Sequence, residues 1–245
     1  MTTLIKLEVT RALRNKKFMF FSVIYPPLLY LIIAGGADNK PIPGTQLSMP
    51  LYYMVAMAAF GAMTAVLLGN SEAIAKERAK GWVRQLRLTA LPGRGYVAAK
   101  MAAAATISLP SILLVMIAAA AVKGVRLEAW QWTAILAATW LGSFAFAALG
   151  VAIGYLASGD AVRPIAMLIY FVLAFLGGLW MPLTILPQWV QNIAEWLPTH
   201  AYAALGQAVE AGGAPDVKDI ALLIGYLLVF AAAAAWLYRK DARKA

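Results

Sequence analysis

Six continuous apolar runs, each about as long as a helix that crosses a bilayer, constrain this fold most. They cover about residues 18–36, 50–70, 97–122, 133–157, 164–181 and 219–238. About 20 apolar residues in a helix span the hydrocarbon core, whereas membrane strands alternate in polarity over about ten. The sequence therefore predicts an all-α integral membrane protein with six transmembrane helices.

The composition supports lipid as the solvent of most of the chain. Of its 245 residues, 62% are hydrophobic and 13% are charged, whereas a soluble domain is about half apolar and a quarter charged. Cysteine is absent and there is one histidine, so we expect neither a disulfide nor a structural metal site. The first run follows a basic N-terminus as in a signal peptide, but its length and its Pro26-Pro27 pair favour a retained, kinked span.

Charge asymmetry between the spans predicts the orientation. Both termini, residues 71–100 and the turn at 158–163 together hold 17 Lys and Arg, and the other three loops hold four. Because basic loops stay on the cytoplasmic side, both termini and residues 71–96 are expected in the cytoplasm, and residues 182–212 outside. We expect the plasma membrane of a prokaryote. The basic residues flank spans and form no nucleic-acid module, so we predict no nucleic acid as partner.

Two basic segments have amphipathic character. Residues 3–17 place apolar and basic side chains on different helical faces, which predicts an interfacial helix, with a simple positive-inside anchor as the alternative. In residues 71–96, helical spacing puts Lys76, Lys80, Arg84 and Arg87 on one stripe beside an apolar stripe that includes Trp82 and Leu86. Attraction to anionic lipid accounts for the basic stripe. The apolar residues among the charges are typical of a protein-docking surface.

The loop after the fifth span, residues 182–212, is interrupted by prolines and yet apolar. Ile185, Trp189, Ile193 and Trp196 share a helical face, and aromatic residues are typical of the membrane interface. We therefore predict a short broken helix pair that dips into the outer leaflet.

The chain carries no recognisable energy source of its own. It has no G-x-x-x-x-G-K-[ST] loop for nucleotide phosphates. Its spans hold essentially no ionisable side chain away from their ends, whereas ion-coupled carriers place such side chains inside the membrane.

Other classes of membrane protein fit the sequence poorly. An intramembrane serine protease would need Ser143 and His200 to meet, although they are expected at different depths of the membrane. An ion channel would need a row of polar residues along a span, and no span has one. The Gly150–Gly154 pair matches G-x-x-x-G and indicates helix packing. We therefore predict a non-enzymatic chain that depends on a partner for work.

Two motifs resemble the membrane subunit of ATP-binding-cassette exporters of the ABC-2 type, over essentially the whole chain. The first consists of Glu77, Arg78, Gly81, Leu86, Thr89, Tyr96 and Lys100, with departures at Trp82, Arg84 and Ala90. The second consists of Pro182, Pro187, Trp189, Ile193, Ala194, Leu197 and Pro198, with His200 as a departure. The resemblance implies one ABC-2 type transmembrane domain over residues 1–245.

The resemblance also implies partners and roles. The cytoplasmic segment would dock, as a coupling helix, on a separate ATPase subunit present in two copies, which would bind ATP and Mg; this chain would bind no cofactor. The expected coupling residues are Glu77, Arg78, Gly81, Trp82, Arg84, Leu86 and Thr89. A second permease copy would complete the complex, with a homodimer favoured over a heterodimer.

In such a dimer, the second and fifth spans would line the substrate pathway. The expected lining residues are Met54, Met57, Phe60, Met63, Tyr170, Phe171 and Phe175. An apolar pathway of this kind favours hydrophobic or amphipathic substrates such as drugs, antibiotics or lipids. Ordinary packing is the alternative for each of these residues. For the whole chain, the alternative is an assembly or anchor protein that recruits a cytoplasmic partner without transport.

Overall fold

The computed structural model describes residues 2–36, 41–42, 47–81, 93–157 and 159–242, which are largely helical and include no β-strand. In chain order the helices are α1 (Thr2–Arg14), α2 (Lys16–Gly35), α3 (Met49–Ala79), α4 (Gly93–Val122), α5 (Ala129–Leu156), α6 (Val162–Leu176), α7 (Gln188–Ala194), α8 (Pro198–Glu210) and α9 (Val217–Ala242). Six are long and apolar enough to span a membrane: α2, α3, α4, α5, α9, and α6 together with its preceding turn. The predicted all-α membrane fold is confirmed.

Helix α3 is the central element of the bundle. Every residue from 52 to 67 is buried, and the helix packs against α2, α4, α5 and α8. Helix α5 approaches it closely, since a methyl group added at Gly150 would lie 2.5 Å from the carbonyl oxygen of Leu67. The G-x-x-x-G pair therefore packs α5 against α3, as small residues do between membrane helices.

Two spans contain π-helical turns. In α2 the turn covers Phe20–Ile24 and is separated from Pro26 and Pro27 by one residue. Proline lacks a backbone N–H, so the regular hydrogen-bond ladder cannot pass through this pair unchanged. In α3 the turn covers Thr64–Leu68, where the Thr64 hydroxyl donates to the Phe60 carbonyl oxygen or meets the hydroxyl of Tyr170. Such turns often occur at functional sites.

Two helix ends differ from those predicted. The second span was expected to end near residue 70, but its helix continues to Ala79 and ends in a turn where Gly81 has φ +70°. The helix that holds Lys76 therefore ends at Ala79, as expected before a left-handed glycine. Arg84 and Arg87 of the predicted basic stripe lie outside the described residues. The helix of the fifth predicted span, about 164–181, ends at Leu176, because Gly177 and Gly178 form a turn with Gly178 at φ +82°.

The hydroxyl groups of α3 stabilise the turn after α6. Tyr52 donates to the carbonyl oxygen of Gly178, and Tyr53 donates to that of Trp180 at 3.1 Å. A helix end leaves carbonyl groups unpaired, and side-chain donors can satisfy them. The fold therefore connects the central helix directly to the start of the loop that follows the fifth span.

Candidate functional site

A buried ionic cluster joins three helices at the end of the bundle where the basic segments meet. The Nζ atom of Lys100 lies 2.5 Å from Oε2 of Glu8 and 2.6 Å from Oε1 of Glu77. The hydroxyl of Tyr96 donates to Oε2 of Glu77 at 2.5 Å, and Arg11 approaches Oε1 of Glu77 at 3.4 Å. We call these five residues the Lys100 cluster. It joins α1, the end of α3 and the start of α4.

The cluster holds three of its four charges away from water, whereas the fourth, on Arg11, is 45% exposed. The side chain of Lys100 is 2% exposed, and those of Glu8 and Glu77 are 8% and 13% exposed. A buried charge is costly unless it is paired and hydrogen-bonded. Two cations face two carboxylates here, so the formal charges balance. The cluster therefore fixes the relative positions of the three helix segments that carry it.

Arg78 forms a second connection at the same end. Its Nη1 donates to the carbonyl oxygens of Gly154 at 2.9 Å and Ala157 at 2.8 Å, and its Nη2 lies 2.6 Å from Oδ1 of Asp241. The guanidinium thus satisfies carbonyl groups at the end of α5 and binds the last turn of α9. Arginine suits this position because it presents several donors in one plane.

The structure describes part of the predicted coupling set. Glu77 and Arg78 are bound to partners within the chain, and Gly81 forms the turn after α3. Trp82, Arg84, Leu86 and Thr89 lie outside the described residues. Contact between Glu77 or Arg78 and an ATPase stays a prediction. Tyr96 and Lys100 belonged to the same motif, and the structure places both against Glu77.

The predicted pathway residues divide into three environments. Met54, Met57 and Met63 are fully buried inside the protomer. Phe60, Tyr170 and Phe171 line a cavity of about 320 Å³ between α2, α3 and α6. Phe175 is 44% exposed on the outer face of α6. The structure therefore brings three of the seven residues to one cavity, and the pathway role of all seven stays a prediction.

The segment after α6 is a broken helix pair. Pro182 precedes a short 3₁₀ turn, Pro187 precedes α7, and Pro198 begins α8, consistent with the preference of proline for first helical turns. Trp189 is 65% exposed, as are Ile185, Ile193 and Trp196 in similar degree. Burial lowers the pKa of His200. Insertion of this apolar face into the outer leaflet stays a prediction.

One buried carboxyl group was missed by the sequence analysis. Both carboxyl oxygens of Glu210 are buried without a hydrogen-bond partner among the described residues, and the hydroxyl of Tyr30 is in the same state. Burial raises the pKa of Glu210 well above its ordinary value. Helical spacing in the sequence could have predicted its burial, because Glu210 lies on the same side of α8 as the buried Tyr202, Gly206 and Val209. Its neighbours on that side are otherwise largely apolar.

Comparison with known proteins identifies the family. The family model described as "ABC-2 family transporter protein" matches residues 33–238, which is most of the chain. The chain belongs to the ABC-2 transporter family. It is also 30% identical over 236 residues to a Bacillus subtilis (strain 168) protein named "Putative transport permease YvfS", covering 96% of this chain and 95% of that protein.

Family membership gives the six spanning helices a role. This ABC-2 protein is a multi-pass membrane protein of a transport permease family. In the part of the chain that the structure describes, no group of three or more His, Asp or Glu side chains is arranged to hold a metal ion.

Proposed function

We propose that this chain is the permease subunit of an ATP-driven exporter of hydrophobic or amphipathic substrates. Two permease copies, a homodimer in our proposal, would act with two copies of a separate ATPase subunit that binds ATP and Mg. The observation that carries the proposal, within this family, is the Lys100 cluster. It connects the two ends of the segment between Ala79 and Gly93 to each other and to α1.

The cluster suits the transmission of force. A push on residues 80–92 would reach α3 through Glu77, α4 through Lys100 and α1 through Glu8. Paired charges in a buried site resist separation, because a charge without its partner would have neither water nor an opposite charge beside it. Since α3 is the central helix, its displacement would shift the packing of the whole bundle. Trp82, Arg84, Leu86 and Thr89 would supply the surface that contacts the ATPase.

The proposed orientation in the membrane rests on the basic residues at the end of the bundle that holds the Lys100 cluster. The charge asymmetry favours a cytoplasmic location for the Lys100 cluster and both termini, in the plasma membrane of a prokaryote. An assembly or anchor protein that recruits a cytoplasmic partner is the second candidate function. The basic segment supports recruitment in either case, and only export of a substrate separates the two.

The test is purification of the tagged full chain in mild detergent, with mass spectrometry of the co-purifying proteins. We expect a soluble protein with a Walker A loop. Changing Trp82 and Leu86 to aspartate should remove it, because charge would enter the apolar docking surface. Trp130→Asp is the matched control, since Trp130 is 48% exposed at the start of α5, outside the coupling segment.

Each outcome is decisive for one of the two functions. Loss of the ATPase in the double variant, with retention in the Trp130 control, supports the permease proposal. A partner without a nucleotide site, recovered from a well-folded sample, supports the anchor function and contradicts the proposal. Co-expression of the ATPase with the chain should then export hydrophobic dyes from cells only in the first case.

A further inference from the structure

The cavity beside Phe60 changes character along its length. It is lined by residues of α2, α3 and α6 and has a volume of about 320 Å³, within the range of small-molecule sites. We call it the amphipathic cavity. Its lining residues are Asn15, Lys17, Phe18, Phe21, Tyr25, Phe60, Thr64, Leu68, Glu72, Lys76, Arg163, Met167, Tyr170 and Phe171.

Each of the three helices contributes the same polarity gradient. On α3, the lining residues recur every fourth position from Phe60 to Lys76, a helical distance of about 24 Å. The charged residues, Glu72 and Lys76, occupy only the last part of this row. On α2, Lys17 precedes aromatic lining residues, and on α6, Arg163 precedes Tyr170 and Phe171. All three helices thus place cations at one end and aromatic rings at the other.

The charged end carries an excess of positive charge. Among the residues that line the cavity are three cations, Lys17, Lys76 and Arg163, and one carboxylate, Glu72. Lys76 lies 3.2 Å from one oxygen of Glu72, and Arg163 lies 3.5 Å from the other. Both carboxylate oxygens are therefore engaged, and two positive charges remain uncompensated. Arginine and lysine side chains in this arrangement recognise phosphate or carboxylate groups.

The other end is apolar, and two of its aromatic rings reach the surface of the protomer, since Phe21 is 53% exposed and Phe171 is 45% exposed. The hydroxyl of Tyr170 meets that of Thr64 at 2.5 Å, so these two polar groups satisfy each other. The rings of Phe60 and Tyr170 pack with centroids 5.1 Å apart, and Trp180 packs edge-on against Phe60 at 5.3 Å. This aromatic layer packs around Phe60 at the apolar end of the cavity. The interior therefore favours an apolar chain or ring system over a polar ligand.

A neighbouring cavity shows why this one is distinctive. A cavity of about 430 Å³ between α1, α3 and α4 is also lined by charged residues, including Glu8, Glu77 and Lys100. Those three side chains bind one another within the Lys100 cluster. Together with Arg11 they form a set with no net charge. The two cavities share Glu72 and Lys76, whereas Lys17 and Arg163 line only the amphipathic cavity and give its charged end a net positive charge.

We propose that the amphipathic cavity binds an amphiphile whose anionic headgroup, a phosphate or a carboxylate, contacts Lys17, Lys76 and Arg163. Its apolar tail lies along α3 toward Phe60. As the substrate class of the exporter, this inference rests on the proposed function. Binding itself needs no ATPase, so it can be tested separately.

The absence of cysteine permits a direct test with one introduced thiol. Met167→Cys places the thiol in the cavity wall, and Leu168→Cys places it one residue away, where the native side chain is 67% exposed. Each variant of the full chain is reconstituted in phosphatidylcholine nanodiscs. Alkylation by N-ethylmaleimide is followed by intact mass, with dodecyl phosphate, with dodecanol or without addition.

We expect dodecyl phosphate to slow alkylation of the Met167→Cys variant and to leave the Leu168→Cys variant unchanged. Dodecanol, which has the same chain without the anion, should protect far less. Adding Lys17→Gln and Arg163→Gln should raise the dodecyl phosphate concentration needed by roughly 25-fold, since each cation near an anionic group contributes about a fivefold change. The native side chains of Lys17 and Arg163 are exposed, so their replacement should leave the fold unchanged. An unchanged rate of alkylation at position 167 without dodecyl phosphate would show that the cavity wall is intact.

The outcomes separate the possible sources of the anion. Protection by phosphatidylglycerol in the nanodisc, without dodecyl phosphate, would identify a membrane lipid as the ligand. Protection by dodecyl phosphate alone would identify a free anionic amphiphile. Equal protection by dodecanol, equal protection at position 168, or full protection after loss of both cations would overturn the proposal. Any of these results would leave co-purification of the ATPase, and so the proposed function, unaffected.

Discussion

The ammonium group of Lys100 lies 2.6 Å from the carboxylate of Glu77, although 23 positions separate the two residues in the chain. The same ammonium group lies 2.5 Å from Glu8, which is 92 positions away. One buried lysine therefore brings together the first helix, the end of α3 and the start of α4. The helices that flank the proposed coupling segment are held at a single point.

Replacing Lys100 by methionine should strongly destabilise the protein. The variant keeps the length of the side chain but leaves Glu8 and Glu77 buried without their common partner, a change that typically costs about 3–5 kcal/mol. The measurement is the thermal unfolding midpoint of the purified chain in detergent. A midpoint equal to that of the native chain would contradict the role assigned to the cluster.

A matched control distinguishes this effect from the loss of any lysine. Lys76 is 66% exposed and pairs with Glu72 one helical turn away, so Lys76→Met should cost about 0.5 kcal/mol or less. In the Lys100→Met background, Glu8→Gln should recover part of the lost stability, because it removes one of the two carboxylate charges that Lys100 neutralised and leaves Arg11 to pair with Glu77. If Glu8→Gln lowered stability further, the loss would have to come from packing and not from charge.

Arg78 should contribute more to stability than its ion-pair partner does. Asp241→Asn removes one charge–charge contact, whereas Arg78→Gln also leaves the carbonyl groups of Gly154 and Ala157 without a donor. In a double-mutant cycle, we expect a coupling free energy of about 0.5–3 kcal/mol between the two positions. Additive losses would show that Arg78 stabilises the helix end alone.

Gly150→Ala should destabilise the contact between α3 and α5. The added methyl group would lie 2.5 Å from the carbonyl oxygen of Leu67 and 2.9 Å from its Cα atom, so the helices must separate, at about 1–3 kcal/mol. Gly225→Ala is the matched control, because nothing lies within 4 Å of its added methyl group. That substitution should be neutral or slightly stabilising, since alanine favours helix. Thermal midpoints of the two variants give the comparison.

Glu210→Gln should stabilise the protein at alkaline pH and flatten the pH dependence of its stability. Burial raises the pKa of Glu210 in the folded state, so the protonated form is favoured there. Its stability contribution is full below the ordinary carboxyl pKa and is lost as pH rises through the raised value. Glutamine cannot ionise and avoids this loss.

The measurement is the thermal midpoint of both proteins between about pH 5 and pH 8. The gain in the Glu210→Gln variant should grow with pH. Glu195→Gln serves as the control, since the Glu195 side chain is 54% exposed and should show a small effect at any pH. An equal gain at all pH values would show that Glu210 is not a titrating, buried acid.

Hydropathy predicted the six spans because helix length and apolar content are local properties. Span ends were less predictable where tertiary contacts or glycine conformation decide them. Leu176 ends α6 because Gly178 adopts a left-handed conformation, and tyrosines of α3 bind carbonyl groups in the turn that follows. The helix of the second span passes the predicted end by nine residues, since Glu77 and Arg78 gain partners at that end.

The sequence by itself determined the fold class, the family resemblance and the candidate coupling motif, because apolar runs, charge asymmetry and motif spacing are properties of neighbouring positions. Only the tertiary structure decided which charges meet. Glu77, Tyr96 and Lys100 were recognisable as motif residues, but their contact with Glu8 depends on how α1 packs. The positively charged end of the amphipathic cavity, near Arg163, and the burial of Glu210 likewise arise from packing. The electrostatic environment of each group is set by neighbours that lie far apart in the chain.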